Sequence, residues 1–311
     1  MEKSILVFGS FVADLTGRSE KFPVPGETVL ANSFALGPGG KGSNQAVAAH
    51  RAGAKMRFIS KLGTDAFGSM AKAFYQAEGM DTQYLLEDKE HATGAALIMV
   101  NEVSGQNMIM VNIGACGCIT QEDVEACRAS IEGADYLLVQ LEINLDALAR
   151  VIDIAHESGT KVILNPAPAQ ALPDELLSKV YAVTPNETEA FALTGIEVTS
   201  QATAHQAAEV FLHKGVRQVV ITLGSQGVYC TDGTREEMYP CITVQAVDTT
   251  GAGDAFNGGF VTALARGWDL FQATRFGNCV GALSVTRKGT APAMPHQAEI
   301  DELFAKTYEQ D

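Results

Sequence analysis

The stretch "VDTTGAGDAFNGGF", residues 247–260, is the densest chemical signal in the chain. It follows an apolar, alternating run, "ITVQAV", that reads as a strand, and it passes into a helical pattern near Ala252. Strand, glycine turn and helix in this order place backbone amides at a helix N-terminus. There, unpaired N–H groups and the helix dipole stabilise anionic charge. Gly251, Ala252 and Gly253 supply those amides, and Asp254 stands beside them. A carboxylate there is suited to accepting a proton from an attacking hydroxyl. The bland alternative is a glycine turn with an acid in the first helical turn, which the dipole favours anyway. A dinucleotide-binding G-x-G-x-x-G fits poorly, because Phe256 occupies the third glycine position.

Working outward, short apolar runs alternate with helical patterns over nearly all 311 residues. "ILVF", "MRFISKLG", "YLLVQL", "KVILN", "YAVT" and "QVVITLG" read as strands, each of the last four followed by a helix. "SNQAVAAHRAGA" reads as a helix starting at Asn44 and ending near Gly53, and "AFGSMAKAFYQAEG" as another. This alternation predicts α/β architecture, a doubly wound and mostly parallel sheet covered on both faces. Two segments, about 15–36 and about 92–113, contain only strands and turns. They predict a small separate sheet inserted in two pieces into one domain spanning 1–311. In open parallel sheets, ligands bind beyond the carboxyl ends of the strands, where most of the polar motifs fall.

A net charge of −15 and a pI of about 4.8 remove any global attraction to nucleic acid or anionic lipid. A local site for an anionic small molecule remains compatible with that charge. No apolar run approaches the length of a membrane span or a secretory core. The six cysteines, 116, 118, 127, 230, 241 and 279, lack zinc spacing, which predicts reduced thiols in a cytoplasmic protein.

Four further motifs carry two readings each. In "LGPGGKGSNQ", 36–45, glycines surround Lys41 and precede Asn44. The spacing fails the G-x-x-x-x-G-K-[ST] phosphate loop, since Ala35 stands five before Gly40 and Gly42 follows the lysine. What remains is a backbone-rich ligand loop, or a glycine turn with an asparagine cap. "TPNETEAF", 184–191, is a capping box, Asn186 with Glu189, and also an acidic cluster able to orient waters around Mg²⁺. "TLGSQG", 222–227, is a tight turn or part of a nucleotide site. "TRKGTAPAMP", 286–295, is a basic loop after a helix, or one whose Arg287 and Lys288 simply satisfy the helix end. Glu142, after "YLLVQL", is a strand-end carboxylate suited to a sugar hydroxyl or to the surface. Asp14 in "GSFVADL" is a lone carboxylate at a strand end, for which an Asx-type bond to nearby backbone is one reading.

Taken in order, "GPGGKGSNQAVAAHRAGA", "LNPAPAQALPDEL", "PNETEA", "TLGSQG", "VDTTGAGDAFNGG" and "SVTRKGTAPAMP" resemble the ribokinase-like (PfkB) carbohydrate kinases from about Gly9 to Pro295. The resemblance implies a doubly wound α/β core with a small β-sheet lid over the sugar, and dimerisation through that lid. It implies ATP-dependent phosphotransfer to the primary hydroxyl of a pentose, D-ribose or 2-deoxy-D-ribose. The rival readings are a kinase for another sugar or a nucleoside, and a sugar-binding regulator without catalysis. It implies Asp254 as the general base, with Gly251, Ala252 and Gly253 as the anion hole. Asp14, Gly40, Lys41, Asn44 and Glu142 fall where such kinases hold sugar hydroxyls. Asn186, Thr222, Gly224, Gly227, Gly253 and Asn278 fall along the ATP groove, although relatives commonly carry histidine at position 278. Glu189 matches the acid associated with Mg²⁺. Asp248, Thr250, Ser284, Arg287, Gly289 and Ala293 match a K⁺ site, several through carbonyls. At Val12, relatives that act on ribose carry asparagine and relatives that act on deoxyribose an apolar residue. Strand residues two apart share a face, so Val12 is expected to meet the sugar with Asp14.

Overall fold

In the computed structural model, residues 3–309 are described. The chain opens with β1 (Ile5–Phe8), β2 (Val12–Ser19), β3 (Ser33–Gly39), α1 (Lys41–Arg51), β4 (Met56–Gly63), α2 (Ala66–Ala77) and β5 (Leu85–Asp88). A hairpin follows, β6 (Thr93–Asn101) and β7 (Asn107–Gly114). Then come α3 (Gln121–Ala126), α4 (Arg128–Glu132), β8 (Tyr136–Val139), α5 (Leu145–Ser158), β9 (Lys161–Leu164), α6 (Asp174–Leu177), β10 (Ala182–Val183) and α7 (Glu187–Thr194). The last third holds α8 (Gln201–His213), β11 (Gln218–Thr222), β12 (Val228–Thr231), β13 (Glu236–Tyr239), α9 (Ala252–Ala265), α10 (Leu270–Ser284) and α11 (Gln297–Tyr308).

Nine strands form one sheet in the order β13-β12-β11-β10-β9-β8-β1-β4-β5. Every pairing from β11 to β5 is parallel. The central strands carry continuous buried runs such as "ILVF" and "YLLV", as strands covered on both faces must. One apolar cluster, with α1, α9 and α10, covers one face; a second, with α5 and α8, covers the other. The expected α/β architecture is therefore present, and the switch in strand order falls between β1 and β8.

Three local expectations are corrected. "QVVITLG" is followed by the antiparallel ribbon β12–β13, not by a helix. "ITVQAV", 242–247, is not a strand: it is largely exposed, and its last amide donates to the carbonyl of Val285 at 2.7 Å. Finally, α1 starts at Lys41 rather than Asn44. Its N-cap is Gly40, with φ of 87°, where an added Cβ would lie 2.7 Å from the Val12 amide nitrogen. Only glycine meets both conditions.

The second sheet has four strands in the order β3-β2-β6-β7, with β2–β6 parallel and the outer pairs antiparallel. Its two pieces run 12–39 and 93–114, and residues 27–32 of the first form no strand. Alternation gives it two faces. One carries Asp14, Thr16, Arg18, Ile98, Val100 and Ile109, and with loops 246–250 and 288–292 encloses a cavity of about 760 Å³. The other carries Phe34, Leu36, Leu97, Met99, Met108 and Met110, exposed by 38–66%. No described helix is long and apolar enough to cross a membrane.

Candidate functional site

The site is assembled where α9 begins. Gly251 is the N-cap of α9 with φ of 78°, a left-handed conformation that an L side chain resists. The helix then packs against α1 through Gly258, where a Cβ would lie 2.4 Å from that of Ala48. That close approach brings the first turn of α9 against the side chains of Asn44 and Gln45.

Asp254 is 7% exposed, and both of its oxygens are held. Asn44 Nδ2 donates to Oδ2 at 2.9 Å and Gln45 Nε2 to Oδ1 at 2.9 Å. Asn44 thus does not cap its helix; it faces the carboxylate. Its own Oδ1 is buried and has no hydrogen-bond partner among the described residues, which leaves an acceptor for a ligand hydroxyl.

Two more carboxylates, with Asp254, surround Lys41. Burial alone would lower the lysine pKa, but Asp254, Glu142 and Glu189 together raise it, so the ammonium stays charged. Glu142 Oε2 accepts from the Ser10 hydroxyl at 2.6 Å and from the Lys41 backbone amide at 2.8 Å. It therefore anchors the start of α1 as well as facing the site. Glu189 completes the capping box at α7: its Oε2 accepts from the Asn186 amide at 2.9 Å, and Asn186 Oδ1 accepts from the Glu189 amide at 2.8 Å. Burial raises the Glu189 pKa, against the Asn186 bond and the charge of Lys41. Both readings of this motif, cap and acidic cluster, thus describe the same residues.

Asp14 lies on β2 in the second sheet, with its Oδ2 3.2 Å from the Thr290 hydroxyl. Burial pushes its pKa from the ordinary 3.8 to about 6, with Glu142 and Asp254 adding repulsion and Thr290 opposing it. Gly39 faces it: a Cβ there would fall 2.2 Å from Oδ2. Val12, two residues earlier, is 2% exposed at the root of the sheet, paired with Gly39 and Gly94. Asp14 lines the 760 Å³ cavity; Val12, Lys41, Asn44, Glu142 and Asp254 are not among its lining residues.

Asn186 and Thr222 come together at adjacent strand ends in a parallel bridge. Gly224 and Gly227 flank the next turn, both with positive φ. Asn278, on α10, has its amide taken up by the Pro240 carbonyl at 2.9 Å and the Tyr308 hydroxyl at 3.1 Å. On the other side, Asp248 draws two loops together. Its carboxylate accepts from the Thr250 amide at 3.0 Å and the Gly289 amide at 3.3 Å, and Arg18 of the second sheet lies 3.8 Å away. Ser284 and Ala293 are buried beside these loops, whereas the Arg287 guanidinium pairs with Glu299. No group of three or more His, Cys, Asp or Glu among the described residues is placed to hold a metal.

Ser10, Gln45, Asn165 and Thr290 bond to side chains of the candidate site or to one another, and motif reading passes over them. Gln45 stood inside a quoted motif, but its partner is 209 residues away. The available signal was a buried amide on a helix face otherwise lined by alanines.

Residues 2–297 match the pfkB family carbohydrate kinases. The chain is 44% identical over 304 residues to a ribokinase of Haemophilus influenzae, covering 98% of this chain and 99% of the relative. It is 33% identical over 302 residues to a deoxyribokinase of Salmonella typhi, covering 97% and 98%. Its fold superposes with a TM-score of 0.87 on an Arabidopsis thaliana ribokinase complexed with ribose and ATP, at 31% identity and coverage of 98% and 99%.

The Asp14 environment yields a pH signature for the ligand-free protein. A carboxyl whose folded pKa is raised contributes stability below about pH 4 and loses it as pH rises through about 6. Asp14→Asn is therefore expected to gain about 1–3 kcal/mol over the parent at pH 8 and little at pH 4. Thermal melts of both proteins across that range measure it; a pH-independent difference would mean that Asp14 does not titrate in this window.

Proposed function

The chain belongs to the pfkB family of carbohydrate kinases, and from that premise we propose that it transfers the terminal phosphoryl group of ATP to the primary hydroxyl of a pentose, D-ribose or 2-deoxy-D-ribose. The observation that carries this reading is the buried Asp254, its two oxygens gripped by Asn44 and Gln45, at the N-terminus of a helix beside Lys41. Asp254 takes the hydroxyl proton as the sugar oxygen bonds to the γ-phosphorus and the bond from that phosphorus to the bridging oxygen of ADP breaks. The amides of Gly251, Ala252 and Gly253 hold the charge of the transferring group. Lys41 offsets the surrounding carboxylates, and the free Oδ1 of Asn44, with Asp14, Gly40 and Glu142, orients the sugar hydroxyls. Such transfer relies on positioning and charge stabilisation rather than covalent catalysis.

Asn186, Thr222, Gly224, Gly227, Gly253 and Asn278 are assigned to ATP. The bridge between strand ends supports the first two; the occupied amide of Asn278 leaves it a packing contact at the groove edge. Glu189, with Glu187 two residues earlier, is assigned to Mg²⁺ held through water, since that ion keeps several waters and needs one or two carboxylates. When bound it neutralises phosphate charge. Asp248, with Thr250, Ser284, Arg287, Gly289 and Ala293, fits K⁺: one carboxylate already gathers the two loops that carry the carbonyls. The exposed apolar face at Phe34, Leu97, Met99 and Met110 supports a homodimer formed through the lid. The six free cysteines support a cytoplasmic setting.

The experiment is ADP release from ATP and Mg²⁺ over a panel of sugars and nucleosides. Pentoses are expected to give the highest kcat/KM; turnover confined to a nucleoside or hexose would reassign the substrate, and none at all would favour a sugar-binding regulator. Asp254→Asn is expected to lower kcat by about 10²–10⁴ while sugar binding changes far less. Near-normal turnover would remove Asp254 as the base.

Val12 bears on which pentose is preferred. Valine offers no hydrogen bond, and a hydroxyl buried against it without a partner costs roughly 1–3 kcal/mol. The parent is expected to favour 2-deoxyribose, or to discriminate against it weakly. Val12→Asn is expected to shift the kcat/KM ratio towards ribose by about 1 kcal/mol or more. A ratio that stays put would show that position 12 does not read the sugar.

A further inference from the structure

Gln45 is fully buried, and every polar atom of its amide is committed. Nε2 donates to Asp254 Oδ1 and to Asn165 Oδ1, both at 2.9 Å, and Oε1 accepts from Gln140 Nε2 at 2.6 Å. Rotating the amide by half a turn would set its oxygen against two acceptors and its NH₂ against a donor, so one orientation is enforced. The chain of bonds continues. Asn165 Nδ2 donates to the Thr184 carbonyl at 2.9 Å, the Thr184 hydroxyl to Asn257 Oδ1 at 2.5 Å, and Asn257 Nδ2 to the Gly253 carbonyl at 2.8 Å. The ring closes one residue before it began. It joins the ends of β9 and β10 to α1 and α9, and ties the Asp254 side chain to the backbone of the turn that presents the amides. All five side chains are at most 7% exposed.

We propose that Gln45 is a positioning residue for phosphoryl transfer: through this closed ring it holds the Asp254 carboxylate in register with the amides of the α9 N-terminus. The inference rests on Asp254 being the proton acceptor. Hydrogen bonds donated to a carboxylate favour its charged form, and a ring whose side chains are each bonded on both sides holds one geometry. Asn44 grips the other oxygen but has an acceptor left over for substrate, whereas Gln45 has nothing left. Its contribution is therefore expected in kcat and in the pH profile, and not in sugar affinity.

Gln45→Met removes the donors at similar size. It is expected to lower kcat at neutral pH by about 10–100-fold, less than the full contribution of an acid–base group. The sugar KM should stay within about threefold, and the acid limb of the kcat profile should move up by about one pH unit, with activity partly restored at high pH. Gln45→Glu keeps the shape and serves where the methionine variant does not fold. Its carboxyl must share a proton with Asp254, so it also drives the acid limb upward. Near-UV circular dichroism and melting temperature establish that the variants are folded. A folded variant with an unmoved acid limb, or one whose loss lies in KM alone, overturns the proposal. If Asp254→Asn itself keeps its turnover, the assignment of the base fails first. If Asp254→Asn is inactive while Gln45 variants keep the parent profile, only the ring's role fails.

Discussion

Asp254 sits at a place where water hardly reaches it. Taking a carboxylate out of water is costly unless hydrogen bonds replace its hydration. Here the replacements come from two adjacent residues of α1, and they reach Asp254 because α1 and α9 approach closely at Gly258. Gly40, directly after β3, starts α1 at the right place, and Glu142, bonded to the Lys41 amide, pins that start to the end of β8. Lys41 then adds a positive charge among Asp254, Glu142 and Glu189. Each glycine-rich motif is a backbone solution to the same problem of placing these groups in contact.

The second sheet adds a different constraint. Its inner face delivers Asp14 into the field of Glu142 and Asp254, with one hydroxyl bond from Thr290 as relief. Hydrogen-bond donors brought to that carboxyl would relieve the repulsion and the desolvation. The opposite face is apolar and exposed, rich in methionine, which adapts well to a partner surface. Arg18 near Asp248 links the sheet to the loop that leads into Gly251.

Much of this arrangement was legible in the chain. The alternation of strands and helices reports the parallel sheet, and the two strand-only segments report the second sheet, because both signals depend on local periodicity. The "GAGD" turn is legible for the same reason: a left-handed N-cap admits little but glycine. What escaped was set by tertiary partners. "ITVQAV" alternates like a strand, but its last amides go to Val285 and not to a neighbouring strand. Asn44 looks like a cap, and becomes a ligand of Asp254 only because Glu142 takes over at Lys41. The roles of Gln45, Asn165 and Thr184 depend on contacts between residues far apart in sequence, which no local pattern encodes. At the positions proposed for K⁺ the donors would be carbonyls, to which side-chain identity is nearly blind.

The account stands most directly on where the phosphate ends up. Incubating the protein with ATP, Mg²⁺ and ribose or 2-deoxyribose, and following the product by proton-coupled ³¹P nuclear magnetic resonance, reads the esterified position. A phosphorus signal split by the two protons of the primary carbon is the predicted result. A signal coupled to a single ring proton, or ATP consumed without any sugar ester, would contradict it.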